Sequence, residues 1–308
     1  VSEGDPLTSV RIQTVLYRPA PGDVDRLLAS VDSAVRLARD QNDRLSVSVA
    51  VGDSSPIPTL TLAQVEELQT KLSSAGGIGL TYDFFGGNLG SAGGHNRLLE
   101  QLNEEFVLFL NPDAYISPFL FPELALQHND SGVGIVEARQ IPLEHPKAFD
   151  PNSGDTSWAS TAGALVKRSV IDAIGGFDAD SFFLYCDDVD FSWRARLAGF
   201  RVVYEPAARI FHDKRLTLDG VMAVGDAEHY YAAEAALMLA WKYSRPDLAA
   251  TWSQGMLDGG GPLQQQAATR FLARQAAGEL PAAIDPEGRV AQFLGTDFAE
   301  HRFSYADA

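Results

Sequence analysis

The sequence predicts an α/β protein built on a doubly wound, mostly parallel sheet flanked by helices, with a helical C-terminal extension. Three observations carry that expectation. Short β-branched runs alternate with stretches of helical period along the N-terminal part of the chain. Phe106 to Leu110 (FVLFL) is apolar on both faces, as a central strand covered on each side must be. Tyr17, Asp53, Asn88 and Asp113 all fall at the carboxyl ends of such runs, the edge at which open α/β sheets bind ligands.

Arg11 to Tyr17 (RIQTVLY) reads as the first strand, stopped by Arg18-Pro19-Ala20-Pro21-Gly22, after which Val24, Leu27, Leu28, Val31, Val35 and Leu37 recur at roughly helical spacing. Leu45 to Val51 (LSVSVAV) is a second strand, ending at Gly52-Asp53-Ser54-Ser55-Pro56 and followed by a helix from Leu62 to Leu72. Leu80 to Phe84 is a third, leading through the glycine-rich segment Gly86 to Gly94 into a helix over His95 to Asn103. After the buried strand Phe106 to Leu110, Gly132 to Val136 forms a short strand and Ile141 to Gly154 a Pro-rich loop over the sheet. Regular structure resumes over Ala162 to Ile174. Asp187 to Gly199 carries Val189, Trp193 and Leu197 on one helical face, with Gly199 as the C-cap before a strand Arg201 to Tyr204. Beyond Gly220 the sequence turns Ala-rich and helix-favouring, in Ala232 to Trp241 and Gln264 to Ala277, around a break at Asp258-Gly259-Gly260-Gly261-Pro262.

With 24 basic against 41 acidic residues, the chain has no general attraction for nucleic acid or an anionic membrane. An acidic protein that handles a phosphorylated substrate needs a local positive charge, for which a divalent cation is the obvious source. Cys186 is the sole cysteine, so no intramolecular disulfide forms and a reducing compartment is compatible. No apolar run reaches the roughly 18 residues of a spanning helix, and Val1 to Leu7 lacks a signal pattern. The expected setting is cytoplasmic, with peripheral docking at the inner membrane face compatible.

Several residues have chemistry to offer. Asp113 is a hard oxygen ligand for Mg²⁺ or Mn²⁺, Asn111 a poorer one, and Pro112 between them ends the strand; alone, the three read equally as an ordinary turn. Asp187, Asp188 and Asp190 enter one turn at a helix N-terminus. Asp190 has Arg194 four residues on and reads as an ion pair, whereas Asp187 and Asp188 read equally as N-caps or as a general base. His212 is either a metal ligand or a hydrogen-bonded surface histidine. Gly87, Gly90 and Gly93 give a G-x-x-G-x-x-G spacing that does not match a dinucleotide fingerprint.

Taken in order, these motifs resemble glycosyltransferase family 2, the inverting enzymes with the GT-A fold, and especially its rhamnosyltransferase-like and galactofuranosyltransferase-like branch. Asn88 to Asn96 (NLGSAGGHN) is similar to the family's Asn-x-Gly loop beside the donor, and Phe106 to Ala114 (FVLFLNPDA) to the strand ending in its metal motif. Phe182 to Phe191 (FFLYCDDVDF) with the sequence up to His212 resembles the acidic pair, its helix and the distal metal-binding histidine. The resemblance spans Val10 to His212 and divides the chain into a nucleotide-sugar-binding catalytic domain over residues 1–220 and a helical extension over 221–308.

The resemblance implies that Tyr17, Asp53, Asn88, Gly90 and Asn111 line the donor, that Asp113 and His212 hold Mn²⁺ or Mg²⁺, and that Asp188, with Asp187 beside it, is the base. Trp158 stands where the family has acceptor-side residues, with a core role equally open. The implied reaction moves a sugar from a donor of dTDP-rhamnose or UDP-hexose type to a carbohydrate or glycolipid hydroxyl, with inversion. The chain departs from the common pattern at Asn111 (often Asp), His95 (often Arg or Asn) and Asp187 (often Glu). A non-catalytic nucleotide- or carbohydrate-binding protein and a nucleotidyltransferase are the competing expectations. The C-terminal helices are candidates for dimerising the protein or covering the acceptor.

Overall fold

The computed structural model describes residues 7–128, 130, 132–213, 225–295 and 297–302. Three β-α units open the chain: β1 (Ser9–Leu16), α1 (Asp23–Gln41), β2 (Ser46–Asp53), α2 (Leu62–Gly76), β3 (Gly79–Phe84) and α3 (Gly90–Leu99). The buried FVLFL run is β4 (Phe106–Leu110), followed by β5 (Ala114–Ile116) and α4 (Leu120–His128), two elements the sequence pattern does not announce. Then come β6 (Val133–Ile141), β7 (Gly163–Lys167), α5 (Arg168–Ile174), α6 (Asp187–Leu197) and β8 (Arg201–His212). Helices α7 (Asp226–Lys242), α8 (Pro246–Gly259) and α9 (Pro262–Ala277) are the last of the helices and strands, and irregular chain follows α9.

All eight strands form one sheet in the order β3-β2-β1-β4-β7-β6-β8-β5. The β3-β2-β1-β4 half is parallel, as the β-α alternation requires. Beyond β4 the sheet is mixed: β7 runs antiparallel to β4 and β6, and β5 antiparallel to β8, while β6 and β8 are parallel. The sheet is therefore less uniformly parallel than the sequence implied, because β7 and β5 enter from loops rather than from crossover helices.

Alternation along β4 shows how the sheet is buried. Phe106, Leu108 and Leu110 join the core with α1, α2 and α4, whereas Val107 and Phe109 join the opposite core with α3, α5 and α6. A third core gathers Val189 and Trp193 of α6, Trp158, and the inward faces of α7 to α9. The helical extension thus shares its core with the helix that begins at the acidic pair. The expected division at residues 220 and 221 lies outside the described residues.

An ion cluster joins α6 to α7. Asp190 is fully buried and accepts from Arg194 Nε at 2.7 Å, Lys242 Nζ at 2.6 Å and the Tyr243 hydroxyl at 3.2 Å. The ion pair read from the Asp190–Arg194 spacing is present, and Lys242 is a partner that local sequence does not reveal. Removing one member of a buried pair leaves the others without compensation, so Asp190→Ala is expected to lower unfolding free energy by about 3 kcal/mol. Urea denaturation of the variant beside the wild type checks this.

Candidate functional site

The site lies along the carboxyl ends of β1, β2, β3 and β4 and the far end of β8, with hydrogen bonds joining loops distant in sequence. Ser54 N donates to Leu16 O at 2.9 Å, and Leu89 N donates to the Ser54 hydroxyl at 3.3 Å. Tyr17 is 46% exposed at the end of β1, with the Arg18 guanidinium over its ring. Asp53 stands at the end of β2, but its carboxylate is turned into its own loop. It accepts from Ser55 N at 2.9 Å, Thr59 N at 2.7 Å and the Tyr82 hydroxyl, and these bonds hold it below the ordinary carboxylate range against the opposing effect of burial. The structure thus gives Asp53 the work of shaping the loop that faces Tyr17.

The glycine-rich segment is helical earlier than its composition predicts: α3 starts at Gly90, not His95. Gly90 has φ +70°, and a Cβ there would collide with the Phe183 carbonyl oxygen. That same carbonyl accepts Ser91 N at 3.0 Å. The absent side chain at Gly90 therefore lets the segment before the acidic pair close onto the start of α3. Asn88 is exposed and its Oδ1 accepts Gly90 N at 3.0 Å, shaping the same turn. His95 lies within the fold, stacked on Phe177 and hydrogen-bonded by Gln13 Nε2 at 3.0 Å. Burial pushes its pKa down to about 3, which keeps it neutral and unsuited to hold a phosphate.

Tyr185 and Cys186 are both left-handed, with φ 66° and 51°, and they turn the chain sharply into α6. Asp187 is buried and Asp188 half-buried. Burial raises the pKa of both above the ordinary carboxylate range. Asp187 is pulled back by the Ser91 hydroxyl and by backbone N–H groups at the start of α6, while Asp188 is raised further by the charge of Asp187. Val189 N donates to Asp188 Oδ1 at 2.9 Å, which leaves Oδ2 as the oxygen to take a proton. Asp187 Oδ2 is buried without a hydrogen-bond partner.

At the opposite side of the rim, β8 runs eight residues further than the predicted strand end at Tyr204, and its last residue is His212. Antiparallel pairing sets His212 opposite Ala114, beside the Asn-Pro-Asp turn. His212 Nδ1 donates to Gln140 Oε1 at 2.8 Å, so in the neutral ring Nε2 carries the lone pair. That lone pair faces Asp113 Oδ1 at 3.2 Å and Asn111 Nδ2 at 3.3 Å. One carboxylate oxygen and one imidazole nitrogen oriented from behind by a carbonyl form a donor set that suits Mn²⁺ or Mg²⁺ when substrate oxygens and water complete the shell. Among the described residues, no group of three or more His, Cys, Asp or Glu side chains converges to hold a metal by itself.

Trp158 is 7% exposed and belongs to the core shared with α7 to α9. The Lys147 ammonium covers one face of its ring at 3.8 Å. That face is closed to a stacking sugar ring.

No family model matches the sequence. Over 66 residues, 21% of this chain and 21% of the relative, it is 38% identical to an N-acetylglucosaminyl-diphospho-decaprenol L-rhamnosyltransferase of Mycobacterium tuberculosis. Over 137 residues, 36% of this chain and 44% of the relative, it is 29% identical to the low-salt glycan biosynthesis hexosyltransferase Agl10 of Haloferax volcanii. The matches thus span well under two thirds of either relative. Among solved structures, the mannosyltransferase PcManGT of Pyrobaculum calidifontis, in complex with GDP-Man and Mn²⁺, superposes with a TM-score of 0.54 at 18% identity, covering 90% of this chain and 77% of that one. The fold is GT-A. In sequence the chain is similar to family 2 glycosyltransferases.

Within this GT-A fold, Asn111, Asp113 and His212 meet at one point, and Asp187 meets the start of α3 at another, with Asp188 next to it in α6. Sequence reasoning missed Gln140, which orients His212, and Ser91, which holds Asp187. Their only sequence signal is position: Gln140 precedes the end of a strand and Ser91 follows the invading Gly90. No helix among the described residues is long and apolar enough to cross a membrane. The close approach at Gly90 makes a specific demand: Gly90→Ala is expected to cost about 2 kcal/mol, from a left-handed backbone and a collision with backbone. Thermal or urea unfolding of the variant checks that loss.

Proposed function

We propose that the protein transfers a glycosyl group from a nucleoside diphosphate sugar, of dTDP-rhamnose or UDP-hexose type, to a hydroxyl of a carbohydrate or glycolipid acceptor with inversion at the anomeric carbon. The observation that carries this reading is the placement of buried Asp187 and half-buried Asp188 at the start of α6, against the Gly90–Ser91 start of α3, at the same edge of the sheet as the Asp113 and His212 donor set. The rhamnosyl- and hexosyltransferase relatives and the GDP-Man and Mn²⁺ complex of the mannosyltransferase support it.

In this reading the donor lies across the ends of β1, β2 and β4. Tyr17 offers an exposed ring for the base, the loop braced by Asp53 shapes the floor, and the Asn88 to Gly90 turn and Asn111 border the sugar diphosphate. Asp113 and His212 would hold Mn²⁺ or Mg²⁺, which when bound supplies positive charge to the diphosphate leaving group. Asp188 Oδ2 takes the proton of the acceptor hydroxyl as that oxygen bonds to the anomeric carbon, and the bond from this carbon to the phosphate oxygen breaks with its electron pair leaving on the nucleoside diphosphate. A raised carboxylate pKa matches the task, because a stronger base removes a hydroxyl proton more readily while still ionised near neutral pH.

Asp188→Asn is expected to lower turnover by roughly 10²- to 10⁴-fold while leaving donor affinity nearly unchanged. The wild-type rate should rise with pH through a limb above the usual carboxylate range, since Asp188 must lose its proton first. Coupled detection of released nucleoside diphosphate, with donor binding followed in parallel, checks both. Equal loss of turnover and donor binding would remove Asp188 from the base role, and release of pyrophosphate instead would mark a nucleotidyltransferase.

A further inference from the structure

Lys147 lies in the Pro-rich segment that sequence reasoning leaves as a loop, yet it is 5% exposed. Its ammonium is 2.7 Å from Glu137 Oε1 on β6 and 3.8 Å from the centre of the Trp158 ring. Glu137 is 3% exposed; its Oε1 also accepts Ser160 N at 3.1 Å, while Oε2 is buried without a partner. A buried ion pair is costly to desolvate and is weak evidence of stabilisation by itself. Its position is more telling. Ala159 N donates to the Ser192 hydroxyl of α6 at 3.0 Å, and Trp193 Nε1 donates to the Ser157 hydroxyl at 3.2 Å, so the 157–160 segment carries the Glu137 and Lys147 pair against the helix that starts at the acidic pair.

Ser192 stands one turn beyond Asp188 on the same face of α6, so the segment it holds sets Glu137 of β6 and Lys147 of the loop after β6 beside that face, with Asp187 the neighbouring charge on the helix itself. Asp190 bears on Asp187 but is compensated by Arg194 and Lys242, and Glu144 bears on Glu137 while pairing with Arg302 at 2.6 Å. His145 lies edge-on to Trp158, 5.1 Å between ring centres. Asp187, Asp188, Glu137 and the Lys147 ammonium therefore share a region of low exposure, in which charges act on one another strongly.

We propose that Lys147 is a positioning residue for the transfer reaction: clamped by Glu137 and the face of Trp158, its ammonium supplies the positive charge that lets Asp188 hold a negative one beside Asp187. Glu137 sets the strength of that effect by partly neutralising the ammonium. This rests on the reading of Asp188 as the base. The direction of each charge's influence agrees, since Lys147 favours and Glu137 disfavours the ionised form of Asp188.

The test uses the full chain labelled with ¹³Cγ-aspartate, the Asp188 resonance being assigned by its loss in Asp188→Asn. Lys147→Met is expected to raise the titration midpoint of Asp188 by about one pH unit or more, and Glu137→Gln to lower it. Lys147→Arg keeps the charge and stays near wild type. The double variant Lys147→Met/Glu137→Gln leaves no orphaned buried charge, so it guards against a single variant that fails to fold, and its midpoint falls between those of the singles. A midpoint that does not move, or moves the same way in both singles, overturns the proposal. Turnover retained in Asp188→Asn overturns the base assignment instead, and is recognised separately because the midpoint shifts do not depend on turnover.

Discussion

Three carboxylates, Asp187, Asp188 and Asp190, enter the first turn of α6, and the fold compensates them unequally. Asp190 points into the core and is closed by Arg194, Lys242 and Tyr243. Asp187 has the Ser91 hydroxyl and backbone N–H groups, with one oxygen unpartnered. Asp188 keeps one oxygen on Val189 N, and the charges of Lys147 and Glu137 act on it in opposite senses. Burial without full neutralisation raises the proton affinity of the first two, and that is what a general base for a hydroxyl requires.

Holding such a pair takes support from both ends of the chain. The left-handed Tyr185 and Cys186 aim α6, and the bare Gly90 admits the Phe183 carbonyl to the start of α3. The ion cluster around Asp190 and the aromatic packing of Trp193 against Tyr243, Phe293 and Phe298 then fix α6 to the helical extension. The extension is thus part of what keeps the acidic pair in place. The other half of the site is built by the sheet: antiparallel pairing of β5 with β8 brings His212 to the Asn-Pro-Asp turn, and Gln140 chooses its tautomer.

Much of this was legible in the sequence where the signal is local. The β-α alternation gave the parallel half of the sheet, FVLFL the central strand, and the spacing of Val189, Trp193 and Leu197 the helix α6 with its acidic start. The order of motifs up to His212 pointed to the GT-A fold. What was hidden depends on long-range pairing. The extension of β8 from Tyr204 to His212 rests on β6 and β5, which local propensity does not encode. The start of α3 at Gly90 contradicts glycine's poor helix propensity because tertiary contact needs a residue without a side chain there. The inward turn of the Asp53 carboxylate, the covered face of Trp158, and the Lys147 and Glu137 pair are likewise products of the folded neighbourhood.

We propose that Asp113 and His212 form the cation-dependent anchor of a nucleoside diphosphate at the sheet's carboxyl edge. Calorimetric titration of UDP, dTDP and GDP into wild type and Asp113→Asn, each with and without Mn²⁺, tests it most directly. At least one nucleoside diphosphate is expected to bind the wild type with Mn²⁺, and binding is expected to be lost or to fall at least tenfold, about 1.4 kcal/mol, without the cation or in the variant. Binding that is equal with and without Mn²⁺, or equal in Asp113→Asn, would contradict it.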